Sequence, residues 1–107
     1  MRLRNAVLAA ASAIALVLAV PVSADAAQGK FGYKYGPGAT GALFNPPSGR
    51  CIDIPEATAA EPAFAPENIT RSTATVFKDF DCDGEYYVLN PDKKASDRLK
   101  LRSVVFS

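Results

Sequence analysis

The residues best equipped for chemistry lie together in Asp79-Phe80-Asp81-Cys82-Asp83-Gly84. Carboxylates at alternate positions offer hard oxygen donors, the ligand type that holds calcium. The same pattern also suits a solvated hairpin, with Phe80 and Cys82 inward and the aspartates in water. The chain has no histidine. That excludes a Ser-His-Asp triad, a Cys-His dyad and His-ligated zinc. Catalysis would have to rest on carboxylates such as Asp53, Glu56, Asp79 or Asp81. Glycoside cleavage needs two of them roughly 5–10 Å apart across a cleft, and no spacing here indicates one. An enzyme is therefore not expected. No cofactor is expected either, apart from calcium held weakly by Asp79, Asp81 and Asp83.

The acidic stretch must be carried by strands. Thr75-Val76-Phe77 before it and Tyr86-Tyr87-Val88-Leu89 after it are β-branched and aromatic, which suits a pleated, half-buried surface. Gly84 stands where a tight hairpin needs positive φ. A last apolar run, Val104-Val105-Phe106, follows Ser103. Cys51 belongs to the short strand Gly49–Ile54, which Pro55 ends. No long helix is supported. Short strands between turns predict an all-β sandwich.

Residues 1–26 read as a secretory signal peptide. Arg2 and Arg4 precede an apolar run from Ala6 to Val20, Pro21 breaks it, and Ala24-Asp25-Ala26 offers a cleavage site. Cleavage after Ala24 is the alternative. The run is too short for a stable membrane anchor. Cleavage after Ala26 leaves 81 of the 107 residues, one small domain. It removes Arg2, Arg4 and Asp25 from 12 basic and 11 acidic residues, leaving ten of each. A neutral chain gives no general grip on nucleic acid or anionic membrane. Export places Cys51 and Cys82 in an oxidising compartment. A disulfide between them closes a loop of about 30 residues, worth roughly 3–4 kcal/mol in the chain-entropy view.

Residues 27–48 form a Gly/Pro-rich aromatic arm. Phe31, Tyr33 and Tyr35 share one face if the arm is a strand. That face either covers the core from a sheet edge or offers a stacking platform. Pro55–Pro66 reads as an Ala/Glu/Pro loop stiffened by Pro62, with Phe64 packing inward. Asn68-Ile69-Thr70 matches a glycosylation sequon. The basic side chains of Arg98, Lys100 and Arg102 fall on one side of a strand and read as surface salt links, each worth little.

Ala74–Phe106 resembles a βγ-crystallin Greek-key motif. Phe77 stands at the strand aromatic, Gly84 at the hairpin glycine, Tyr87 and Leu89 on the second strand, and Ser103 at the head of the last strand. Gly49–Phe77 is similar to secreted microbial members of that fold, so residues 49–107 are expected to form the Greek-key domain. The arm is either separate from it or a degenerate first half-motif. The family's calcium motif is not reproduced, because Arg98-Leu99-Lys100-Leu101-Arg102-Ser103 lacks two acidic ligands. The D-x-D-x-D-G stretch resembles the start of an EF-hand loop, but its twelfth position is Asn90 rather than Glu.

Export, a disulfide, a small β domain and the lack of a catalytic set point to a secreted, extracellular, non-catalytic binding module of this fold, expected as a monomer, with an extracellular protein or cell surface as target. Some relatives of this fold are peptidase inhibitors. The corresponding contact here would be the Pro55–Pro66 loop through Glu56, Glu61, Pro62 and Phe64. A rigid exposed loop loses little entropy on docking.

Overall fold

A computed structural model describes residues 26–107. The signal segment assigned to residues 1–26 lies outside the described residues except for Ala26, which bridges to Pro47. Among the described residues no helix is long and apolar enough to cross a membrane.

Strands follow in chain order: β1 (Gly29–Tyr35), β2 (Ala39–Phe44), β3 (Ile52–Asp53), β4 (Ala63–Thr70), β5 (Ala74–Phe77), β6 (Tyr86–Leu89), β7 (Lys93–Lys94), β8 (Lys100–Leu101) and β9 (Ser103–Phe106). They make two antiparallel sheets. The first runs β2-β1-β4-β7, with β8 also on β4; the second runs β3-β9-β5-β6. The only helical turn among the described residues is a 3₁₀ turn at Phe80–Cys82. The sheets face each other across one core. Phe31 of β1 meets Phe106 of β9 edge-on, with ring centroids 5.4 Å apart. Tyr33, Ile54, Val76, Leu89, Leu101 and Val104 fill the space around them.

The aromatic arm is part of this core. Its alternation does put Phe31 and Tyr33 on the buried face. However, β1 lies between β2 and β4 rather than at an edge, and its rings pack on the core, Phe31 and Tyr33 buried and Tyr35 half-buried, instead of forming an open stacking platform. Tyr33 lies across Gly41 of β2, where a Cβ would come within 2.6 Å of the ring. Glycine at that cross-strand position makes room for the tyrosine.

The expected Pro55–Pro66 loop is shorter than its prolines suggest. Its second half is β4, which starts at Ala63. A proline is tolerated there because the strand bulges. Ala65 and Pro66 together oppose Tyr33, between the pairs Gly32–Glu67 and Lys34–Phe64, and Ala65 has φ +51°. The Pro66 carbonyl still accepts the Ala95 N–H at 2.9 Å.

The sequon asparagine is structural. Asn68 is fully buried on β4. Its Nδ2 donates to the carbonyls of Ser72 at 2.8 Å and Leu89 at 2.9 Å. Its Oδ1 accepts from the Thr70 hydroxyl at 2.7 Å and the Thr70 N–H at 3.1 Å. It ties the first sheet to the end of β6 in the second and has no exposed amide for a glycan.

Candidate functional site

The residues singled out by the sequence converge at one corner, where the chain passes from β8 into β9. The acidic hairpin folds against Ser103, the first residue of β9. The buried Ser103 hydroxyl donates to the Asp79 carbonyl at 2.5 Å and accepts the Cys82 N–H at 2.9 Å. Cys82 is joined to Cys51 by a disulfide spanning 31 positions. Asp53 of β3 accepts the Asp81 N–H at 2.9 Å. These ties hold Asp81 and Cys82 at φ +59° and +54°, a region that non-glycine residues enter only when their surroundings enforce it. Gly84 has φ +81°, and a Cβ there would run into the Asp79 carboxylate. Its expected positive φ is present.

The aspartates do not form a metal cage. Asp79, Asp81 and Asp83 are all exposed. Among the described residues no three Cys, Asp or Glu side chains converge as metal ligands. Asp79 instead lies 4.0 Å from Arg102, and Asp83 accepts the Gly84 N–H. The calcium expected at these three residues has no assembled site. Clefts among the described residues are lined by a single carboxylate each, Glu85, Asp92 or Glu67. None of Asp53, Glu56, Asp79 or Asp81 lines them.

Beside the hairpin lies the loop of residues 55–62. Pro55, Glu56 and Thr58 to Glu61 are exposed, while Ala57 is buried. The tip is a tight turn. Thr58 N–H donates to the Glu61 carbonyl at 2.8 Å, and Glu61 N–H donates to the Thr58 hydroxyl at 2.9 Å. At the base, the Tyr33 hydroxyl donates to Glu56 at 2.6 Å. Burial first, then the Glu56 carboxylate, holds Tyr33 ionisation above the ordinary tyrosine value. Tyr33 is therefore a persistent donor. Of the expected contact residues, Glu61 is at the tip and Pro62 just after it. Phe64 has moved into β4, half-buried, with the Lys100 ammonium 4.7 Å from its ring centroid.

The residue that sequence reasoning missed is Arg102. It reads as one of three surface cations, yet its side chain is only 15% exposed. Its guanidinium donates to the carbonyls of Thr58 at 2.8 Å, Ala59 at 2.9 Å and Lys78 at 3.1 Å. Its own N–H donates to Phe77 and its carbonyl accepts from Ile54, both at 2.8 Å. One planar, always-charged fork thus joins the loop tip to the hairpin base. Of the remaining fold-defining candidates, Phe77 stands opposite Ser103, half-buried, with its ring 6.0 Å from Tyr86, while Tyr87 on β6 is 51% exposed.

The corner is thus a surface whose exposed backbone is fixed by Ser103, Asp53 and Arg102. Comparison with protein-family models, characterised proteins and solved structures finds no match for the chain.

Proposed function

We propose that the protein is a secreted, extracellular, non-catalytic binding module whose contact element is the loop of residues 55–62. One observation carries the reading. The loop tip is exposed, yet its backbone is tied by Arg102, by the Thr58–Glu61 turn and by Tyr33 to Glu56. A loop fixed before docking loses little entropy on binding. Its tip residues, Ala59 and Ala60, present small apolar side chains. A Greek-key sandwich of βγ-crystallin type fits the same observations. Gly84 has the positive φ that a folded hairpin needs, and Ser103 anchors that hairpin to the last strand.

A peptidase is the second reading for the partner, favoured by the rigid, small-residue tip. The test is residual activity of a thermolysin-like and a subtilisin-like peptidase under excess protein, with Ala59→Arg as the blocked tip. Inhibition that disappears in Ala59→Arg supports a peptidase partner. Full activity with wild-type protein removes both peptidase classes and leaves a cell-surface or other protein target for the loop.

A further inference from the structure

The free edge of the second sheet is built differently from the other edges. Strand β6 ends the order β3-β9-β5-β6. Which of its backbone groups are free follows from its register. Lys78 N–H donates to the Glu85 carbonyl at 2.8 Å, and these two residues are directly opposite. Hydrogen-bonded and non-bonded pairs alternate along an antiparallel ladder. Tyr87 and Leu89 therefore bond to β5, while Tyr86 and Val88 turn their N–H and C=O groups outward. The far side of β5 agrees: Thr73 and Ser107 exchange both bonds, which puts Thr75 and Phe77 in bonding positions toward β9. No turn or loop bond among the described residues takes up the Tyr86 and Val88 groups.

Natural sheets blunt exposed edges by shortness or charge. Strand β7 is two residues long, both lysine, and β3 is two residues beside the disulfide. The longer edge strand β2 is small over Ala39 to Ala42, which gives a partner strand little to pack on, and its large exposed residue, Phe44, stands at its end. Strand β6 has none of these defences. It exposes Tyr86 by 68%, Tyr87 by 51% and Val88 by 48% in an uncharged run.

Next to this edge is a cleft of about 350 Å³. Val76, Leu99 and Tyr87 line it with Lys78, Arg98 and Lys100, and Glu85 is its lone carboxylate. Lys78 is paired to Glu85 at 3.6 Å. Arg98 has no ion-pair partner among the described residues, whereas the Lys100 ammonium is held by the Asp97 carbonyl and the Phe64 ring.

We propose that β6 and this cleft form a docking site for an extended acidic segment of another protein, added as a further strand. The geometry sets the sequence it would take. An antiparallel strand bonds through two residues to Tyr86 and Val88. Successive side chains alternate between faces, so the residue between those two lies opposite Tyr87 with its side chain over the cleft. An acidic side chain there meets Arg98, which lines the cleft and has no ion pair among the described residues. Its neighbours lie beside Tyr86 and Val88 on the outer face, where β-branched residues make good cross-strand pairs. Backbone bonds supply affinity and the cleft supplies choice, as in other strand-addition sites. This surface does not involve the loop of residues 55–62.

The test is fluorescence anisotropy with two labelled peptides, Thr-Val-Glu-Val-Thr and Thr-Val-Lys-Val-Thr, against the oxidised protein. The expected result is a Kd below about 100 μM for the Glu peptide and binding at least roughly tenfold weaker for the Lys peptide. Arg98→Glu, a surface change, should erase that preference with the melting temperature unchanged. Val88→Pro should abolish binding of both. Should that variant fail to fold, Val88→Lys, a charge on the edge, takes its place. Ala59→Arg should bind the Glu peptide as wild type does, even if it loses the loop's partner. Equal binding of both peptides, or none, overturns the proposal. So does sedimentation showing that the protein pairs with itself through β6, because a second copy would then occupy the edge.

Discussion

Two regions of this small molecule treat their backbone in opposite ways. At the β8–β9 corner, hairpin and loop carbonyls and amides are held by side chains far away in sequence: Ser103, Asp53 and Arg102. At the β6 edge, two residues present their backbone groups to solvent. The corner has spent its polar groups on its own rigidity and offers a fixed shape. The edge has kept them and offers pairing. A chain this small has little core to spare, so the contrast shows where stability is concentrated and where it was left out.

The disulfide gives the largest expected break. Replacing Cys51 and Cys82 by Ser should cost roughly 3–4 kcal/mol and free the hairpin at Asp81 and Cys82. Thermal melts by circular dichroism would record it, and an unchanged melting temperature would show that the other ties suffice.

Arg102→Ala comes next. It leaves three carbonyls without their charged donor in a half-buried place, so about 2–3 kcal/mol is expected. Arg102→Lys should recover only part of it, because one ammonium cannot span the loop and the hairpin as the fork does. Urea unfolding measures both. Full recovery by Lys would reduce Arg102 to a simple charge.

Tyr33→Phe should cost about 1 kcal/mol near neutral pH, and it adds a sign. Tyr33 ionises at higher pH in the folded protein than its ordinary value of about 10. Below that value both states are protonated and its contribution is complete. As pH rises above about 10, the unfolded chain ionises first and folding weakens. Melts at pH about 9 and about 11 should show a larger loss for wild type than for Tyr33→Phe.

The smallest effect belongs to the edge. Val88→Thr changes an exposed side chain while keeping a β-branched residue, so less than about 0.5 kcal/mol is expected. A larger loss would mean that the edge contributes to stability as the corner does.

How much of this was written in the sequence differs between the same two regions. Strands β5 and β6, the positive φ of Gly84 and the pairing of Cys51 with Cys82 were all legible, because β-branched runs, a glycine in a turn and two cysteines are local signals. The arm's aromatic alternation was legible too, but its place in mid-sheet was not, since that depends on pairing with β4. Pro66 concealed a strand because the bulge that accommodates it leaves no pattern. Arg102 was the largest omission. Its partners are backbone carbonyls 43 and 44 positions away, and a carbonyl carries no residue identity that a sequence reading could match. Asn68 misled for a related reason: a sequon describes three residues and says nothing of burial.

The contrast is tested most directly by residue-resolved amide hydrogen exchange on the oxidised protein. Slow exchange is predicted for Thr58, Asp81 and Cys82 at the corner, and for Tyr87 and Leu89, which bond to β5. Tyr86 and Val88, between and beside those protected positions, should exchange fast. That alternation along four consecutive residues is the signature of an open edge. Uniform protection from Tyr86 to Leu89, or fast exchange at Thr58 and Cys82, would contradict the account.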